Sequence, residues 1–380
     1  FSTYLTTAIG HFFSLLPGAG TLIGMNFYTG LSISLLAVLG YYFCTKVLKI
    51  PALLVFLGEF TAVSFCWCPT GSFYNYVTYV FYLVSVVCLY LGLARGKKGW
   101  LFAAGVALGC NVLSRFSNLP EAAMIVGVWA YGIICWLEEQ KSIVQDCVDV
   151  AGNAETENKE ARKKAAGRRL RKKLLQDTGM CLAGYLTALL VLFGYIQIRY
   201  GMDEYVRGIQ RLFSMTEVAT DYTAKSMILG MFDWYLQNLY WELRMCVFLI
   251  VGMIAVGFLE FAATGVRDSY AGKDTIKKAL RILEWVVSAV LAVIMVFWLY
   301  RQGFCATEYT NYGAIIWPGV TFLTLTLLVT LWRIFMPSAP GEEKLLSGLI
   351  FLIVLITSLG SNNKPVSYTH LRAHETLANL

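Results

Sequence analysis

Thr178-Gly-Met-Cys-Leu-Ala-Gly-Tyr-Leu-Thr-Ala-Leu-Leu-Val-Leu-Phe-Gly-Tyr-Ile-Gln-Ile-Arg199 carries no charge between Asp177 and Arg199. As a helix rising about 1.5 Å per residue, it matches the roughly 30 Å hydrocarbon core of a bilayer. The stretch just before it, Lys159–Lys173, is Lys-Glu-Ala-Arg-Lys-Lys-Ala-Ala-Gly-Arg-Arg-Leu-Arg-Lys-Lys. An apolar run bordered by dense positive charge reads as a transmembrane helix leaving a cytoplasmic segment.

The whole chain has the same character. Its 380 residues are 57% hydrophobic and 14% charged, against about 25% charged in a soluble domain. That balance excludes a secreted disulfide scaffold, a nucleic-acid module and a disordered chain. The expected fold is all-α, a polytopic transmembrane helical bundle with interfacial helices on the outer face. Ten apolar stretches fit spans: 22–44, 51–68, 74–94, 99–115, 120–137, 178–199, 244–264, 282–300, 312–335 and 345–360. The earlier piece Tyr4–Leu16 is too short to cross and reads as an interfacial helix ended by Pro17-Gly18.

Basic residues alternate between the gaps. Of the 31 Lys and Arg, 22 fall in the odd-numbered gaps, and eight fall in the even-numbered gaps and at the ends, leaving aside Arg372. Positive charge stays in the cytoplasm. Residue 1 and residues 361–365 are therefore expected on the extracytoplasmic side of a plasma membrane. The net charge of +7 is thus topogenic and gives no sign of a nucleic-acid partner.

Two gaps are long. The gap 138–177 is expected to be a basic cytoplasmic loop. Within it Glu155–Lys159 and Glu160–Lys164 are helix-supporting pairs. Lys159–Lys173 is either a solvated, topogenic face or a surface for anionic inner-leaflet lipid. The outer loop 200–243 mixes Asp203, Glu204, Arg207, Arg211 and Asp221 with an aromatic second half, Phe232 to Trp241, suited to the headgroup level.

Other motifs are sparse. Cys66-Trp-Cys68 lacks the ligand count for zinc. There is no Walker loop, no Gly-x-Gly-x-x-Gly and no His-Glu-x-x-His, so no metal site is read from the sequence. Charges at membrane depth are more telling. Glu59 lies near the middle of the second span, paired or on a substrate path. Arg115 ends the fourth span in Asn111-Val-Leu-Ser-Arg-Phe-Ser-Asn118. It either snorkels to headgroups or clamps a phosphate, which guanidinium geometry suits.

The phrase Gly99-Trp-Leu-Phe-Ala-Ala-Gly-Val-Ala-Leu-Gly109, continuing through Leu113-Ser-Arg-Phe-Ser-Asn118, resembles the small-residue helix ending in Arg of GT-C membrane glycosyltransferases. Among these are the bacterial dolichyl-phosphate-mannose–protein mannosyltransferase-like proteins. The resemblance covers the first five spans best and concerns only the general plan beyond residue 200. It implies transfer of a sugar from a polyprenyl-phosphate carrier to an acceptor on the outer face, in a bacterial cell envelope. The lipid-linked sugar is then the donor substrate, and no tightly bound cofactor is required.

That family's catalytic carboxylate lies in its first outer loop, which would precede Phe1, so the chain reads as a fragment. Phosphate-side candidates are Arg115, Arg244 and Lys364. Candidates for sugar or acceptor contact are Asn118, Asp221, Tyr222, Glu308, Asn362 and Asn363. A lipid-linked glycan polymerase or ligase, or a flippase or transporter, is the alternative.

The last residues stand apart. Val366–Thr376 resembles a translated sequencing adapter, so residues 366–380 are expected to be a non-native tail following a core of residues 1–365. His370 and His374 lie in that tail and are not read as a metal pair.

Overall fold

The computed structural model describes residues 3–64, 74–149, 156–218 and 312–358, with scattered positions between 232 and 301. Among the described residues every regular element is a helix. In chain order these are α1 (Tyr4–Ser14), α2 (Leu22–Tyr42), α3 (Ala52–Ser64), α4 (Tyr74–Ala94), α5 (Lys98–Ser114), α6 (Ile125–Asp149), α7 (Thr156–Arg199), α8 (Met202–Val218), α9 (Tyr312–Phe335) and α10 (Gly341–Ser358). A π turn, Phe43–Val47, follows α2, and a 3-10 segment, Phe116–Met124, precedes α6. Contacts divide the chain into two units, one of Phe1–Ile228, Leu327–Asn362 and Tyr368–Leu380, the other of Leu229–Thr326 and Asn363–Ser367. The described positions of the second unit between 232 and 301 are helical.

Four helical stretches are long and apolar enough to cross a membrane: Leu22–Val47, Tyr76–Ala94, Asn118–Ser142 and Arg162–Arg199. The expected count of ten is not reached among the described residues. Helix α3 is described over 13 residues and α5 over 17, and Glu342 and Glu343 open α10. Of the spans expected at 244–264 and 282–300 the structure describes scattered positions only, about half of each.

The first unit is built around α5 and α7. Glycine makes their close approach possible. A Cβ at Gly109 would sit 2.7 Å from the Tyr185 carbonyl oxygen and 2.8 Å from the Ala188 Cβ, while Cβ atoms at Gly105 and Gly184 would run into the carbonyls of Cys181 and Phe102. Small residues four apart let two backbones touch, which is what drives association where lipid tails are as apolar as leucine. Helix α4 lies on α5 through Leu89, Leu101 and Leu108, and α10 adds Leu345 and Leu349 beside Met124 and Val128. By contrast α2 and α3 expose Leu31, Leu35, Leu53, Phe56 and Phe60, a surface suited to lipid tails.

The two ends of this bundle differ. At one end, Thr6 of α1 donates from Oγ1 to the Ser114 carbonyl (3.0 Å). Tyr4, Leu113, Ile196 and Tyr205 form a small apolar cluster there. The short helix expected at Tyr4–Leu16 is present as α1. The chain turns at Gly201, whose φ of 82° favours glycine, and Met202 N–H donates to Gln197 Oε1 (2.8 Å). The loop expected at 200–243 therefore opens as helix α8. At the other end, Tyr90 Oη donates to Glu342 Oε2 (2.9 Å) and Lys98 Nζ to Gln176 Oε1 (3.0 Å).

Within the gap expected at 138–177, the helix-supporting pair Glu160–Lys164 read in the sequence lies near the start of a helix. Helix α6 runs on to Asp149, and α7 begins at Thr156. The reason is a second periodicity under the charge: Ala166, Leu170 and Leu174 lie four residues apart and turn inward, with Leu170 and Leu174 meeting α6 at Gly132. A basic stretch with one apolar stripe is an amphipathic helix rather than a loop.

Candidate functional site: a sealed polar layer beside Arg115

Helix α5 stops at Ser114 for local reasons. The Ser114 hydroxyl donates back to the Cys110 carbonyl (3.1 Å), and Arg115 takes an extended conformation (φ −159°, ψ 121°). Pro120 has no N–H and disfavours the α conformation at Leu119. The chain answers with nine residues of 3-10 helix, long for a form that rarely exceeds three or four residues. Its tighter winding carries Glu121 into the bundle.

Glu121 is fully buried. Asn111 of α5 donates from Nδ2 to both carboxylate oxygens, at 2.8 Å each, and approaches the Thr78 carbonyl at 3.4 Å. Asn118 donates from Nδ2 to Thr78 Oγ1 (3.0 Å), to Asn111 Oδ1 (3.2 Å) and to the Asn111 carbonyl (3.3 Å). One layer of carboxamide, hydroxyl and carboxylate thus joins α4, α5 and the 3-10 segment. The Tyr82 hydroxyl, also buried, faces Glu121 without a hydrogen bond of regular geometry.

Arg115 supplies the charge for this layer. It is half-buried and interacts electrostatically with both Glu121 and Tyr82. An isolated buried carboxylate costs several kcal/mol, so a guanidinium beside it is the expected counterpart.

The other sequence candidates fare differently. Asn118, expected to contact sugar or acceptor, is buried and its Nδ2 is engaged by Thr78 and Asn111. Arg244, Lys364, Asp221, Tyr222, Glu308, Asn362 and Asn363 lie outside the described residues, as do Cys66 and Cys68. Glu59 is half-buried between α3 and α2, where a Cβ at Gly40 would come within 2.6 Å of its Oε1. Among the described residues no three His, Cys, Asp or Glu side chains gather as a metal site.

Above the layer, burial pushes the Tyr4 hydroxyl of α1 up to about 12, with Tyr200 and Tyr195 adding to the shift. It stays neutral at ordinary pH, so this end of the bundle gains no charge from it.

Sequence reading missed Glu121, Asn111 and Thr78. Glu121 sits one residue after Pro120 at the start of an apolar run, where a charge passes for a helix boundary. The spacing of Asn111, Asn118 and Glu121 gives no single helical signal, because the end of α5 at Ser114 and the 3-10 segment separate the first from the other two.

Comparison of the chain with family models, with curated proteins and with solved structures finds no match.

Proposed function

We propose that this chain is a membrane glycosyltransferase of the GT-C type. It moves a sugar from a polyprenyl-phosphate carrier to an acceptor on the outer face of a bacterial plasma membrane, within a bundle of about ten spans. The observation that carries this reading is Arg115: a half-buried guanidinium at the end of a small-residue helix, held beside a buried carboxylate layer. In the reaction an acceptor hydroxyl oxygen attacks the anomeric carbon. The bond from that carbon to the phosphate oxygen breaks, and the lipid phosphate leaves with the electron pair. A carboxylate takes the hydroxyl proton, and cationic donors stabilise the leaving phosphate.

Arg115 has the second role, with Arg244 and Lys364 as further phosphate-side groups. Asp221, Tyr222, Glu308, Asn362 and Asn363 are the groups for sugar and acceptor. Glu121 is a positioning residue: it fixes the guanidinium and does not touch substrate.

The test is transfer from polyprenyl-phosphate sugars, mannose included, in liposomes holding the protein. Arg115→Ala should lower donor use about tenfold to a hundredfold, the effect of losing a charge-assisted contact of about 1.5–3 kcal/mol, while Arg115→Lys retains part of it. Equal donor use by Arg115→Ala and the unaltered protein would sink the phosphate role. Preference for a diphosphate-linked glycan would favour a polymerase or ligase, and carrier movement without transfer would favour a flippase.

A further inference from the structure

The basic half of α7 has a geometry that its sequence alone leaves open. The helix is continuous over 44 residues, about 66 Å at the standard rise and twice the thickness of a hydrocarbon core. It contains no proline. Its inward face is set by Ala166, Leu174, Asp177 and Cys181, all buried. The opposite face exposes Leu175, Leu182, Leu186 and Leu190, a stripe suited to lipid tails.

That stripe runs without a break into charge. At about 100° per residue, Arg171 and Arg168 fall on the same side as Leu175, Leu182 and Leu186, and Lys172 lies at the edge of that side. All three are exposed. Arg171 stands about 6 Å along the axis from Leu175, and Arg168 about 10 Å. On the neighbouring helix α6, Trp129, Ile133 and Leu137 are exposed at spacings of four. Trp129 donates from Nε1 to Thr178 Oγ1 (3.0 Å), which places an indole beside the border between the apolar and basic halves of α7. Tryptophan at that level marks a headgroup boundary.

We propose that Arg168, Arg171 and Lys172, bordered by Leu175 and the Trp129–Leu137 stripe of α6, form a seat for the phosphate of an anionic phospholipid in the cytoplasmic leaflet. Acyl chains lie along the leucines, and the headgroup phosphate meets guanidinium groups one to two turns beyond them. Bidentate geometry suits arginine to this task. Arg162 and Lys163, further along the helix, fall at about 100° per residue on the side of Ala166, away from the leucine stripe. They are not part of the seat. The proposal does not depend on the glycosyltransferase reading.

The test is native mass spectrometry of the detergent-purified protein with phosphatidylglycerol and phosphatidylcholine in competition. The unaltered protein should retain phosphatidylglycerol selectively. The triple variant Arg168→Gln/Arg171→Gln/Lys172→Gln should lose about tenfold to a hundredfold in that preference, on the scale of three membrane-proximal basic residues. Arg162→Gln/Lys163→Gln should keep it. Arg168→Lys/Arg171→Lys/Lys172→Arg, which preserves charge, should keep most of it and so separates lost binding from lost folding. Unchanged preference in the triple variant would overturn the seat, and so would an equal loss in the Arg162/Lys163 variant, which would mean diffuse attraction to the whole arm.

Discussion

The Arg115 end of α5 and the basic half of α7 handle polar groups in opposite ways. Around Glu121 each polar side chain is enclosed and most are matched donor to acceptor at 2.8–3.4 Å. Along Arg168–Lys173 the charged side chains are exposed, and their helix is held by the uncharged face that carries Ala166 and Leu174. A matched, enclosed layer makes each member depend on its neighbours, because a buried group that loses its partner has no water to turn to. An exposed row makes each member nearly independent of the fold. The first arrangement is suited to fixing one side chain, Arg115, in one place. The second is suited to meeting a fluid surface.

The sharpest way to break this contrast is Asn111→Leu. It removes the donor to both Glu121 oxygens and leaves a buried carboxylate facing a methyl group. The expected cost is about 3 kcal/mol, read as a lowered unfolding midpoint in detergent and a reduced amount of protein in the membrane. Asn111→Leu/Glu121→Leu should be more stable than Asn111→Leu alone, since removing both partners leaves no orphan, although it frees Arg115. Equal stability of the two variants would mean that the layer is not a coupled unit.

A step smaller is Gly105→Val, which tests the packing that aligns α5 with α7. Any Cβ there meets the Cys181 backbone, and a backbone carbonyl cannot swing aside as a flexible side chain does. Overpacking of this kind costs about 1–3 kcal/mol. Because α5 carries both Asn111 and Arg115, the same variant should lower donor use beyond its effect on stability. A variant with normal stability and normal donor use would show that the close contact of α5 and α7 is dispensable.

Legibility in the sequence follows the range of the forces involved. Run length and the bordering charges identify α2, α4 and α7, because a bilayer selects length and hydropathy directly. The short helix expected before Pro17-Gly18 is present and ends at Ser14. Three features were hidden. The inward stripe of Ala166, Leu170 and Leu174 lay beneath the charge, since Lys and Arg outnumber it. The role of Gly105 and Gly184 is visible only when both helices are present. Glu121 was hidden because its burial depends on the pitch of the 3-10 segment. Wound as an α-helix, those residues would aim the carboxylate elsewhere. Of the expected site, Arg115 was legible as a cation at a helix end, but its neighbours were not.

The smallest expected effect completes the contrast. Arg171→Gln alone should change the unfolding midpoint little, since exposed substitutions away from caps and networks usually fall within about 0.5 kcal/mol. Arg171 is exposed, so its removal uncovers no core. Glutamine is also a good helix former, which leaves the backbone of α7 undisturbed. Its contribution to the proposed phospholipid seat is a binding contribution, absent in pure detergent and present when phosphatidylglycerol is added. The informative measurement is therefore the midpoint with and without that lipid. The unaltered protein should gain stability from it by mass action, and Arg171→Gln should gain less from the same starting point. A loss of more than about 1 kcal/mol in detergent alone would place Arg171 within the folded framework and end the distinction between the enclosed layer and the exposed row.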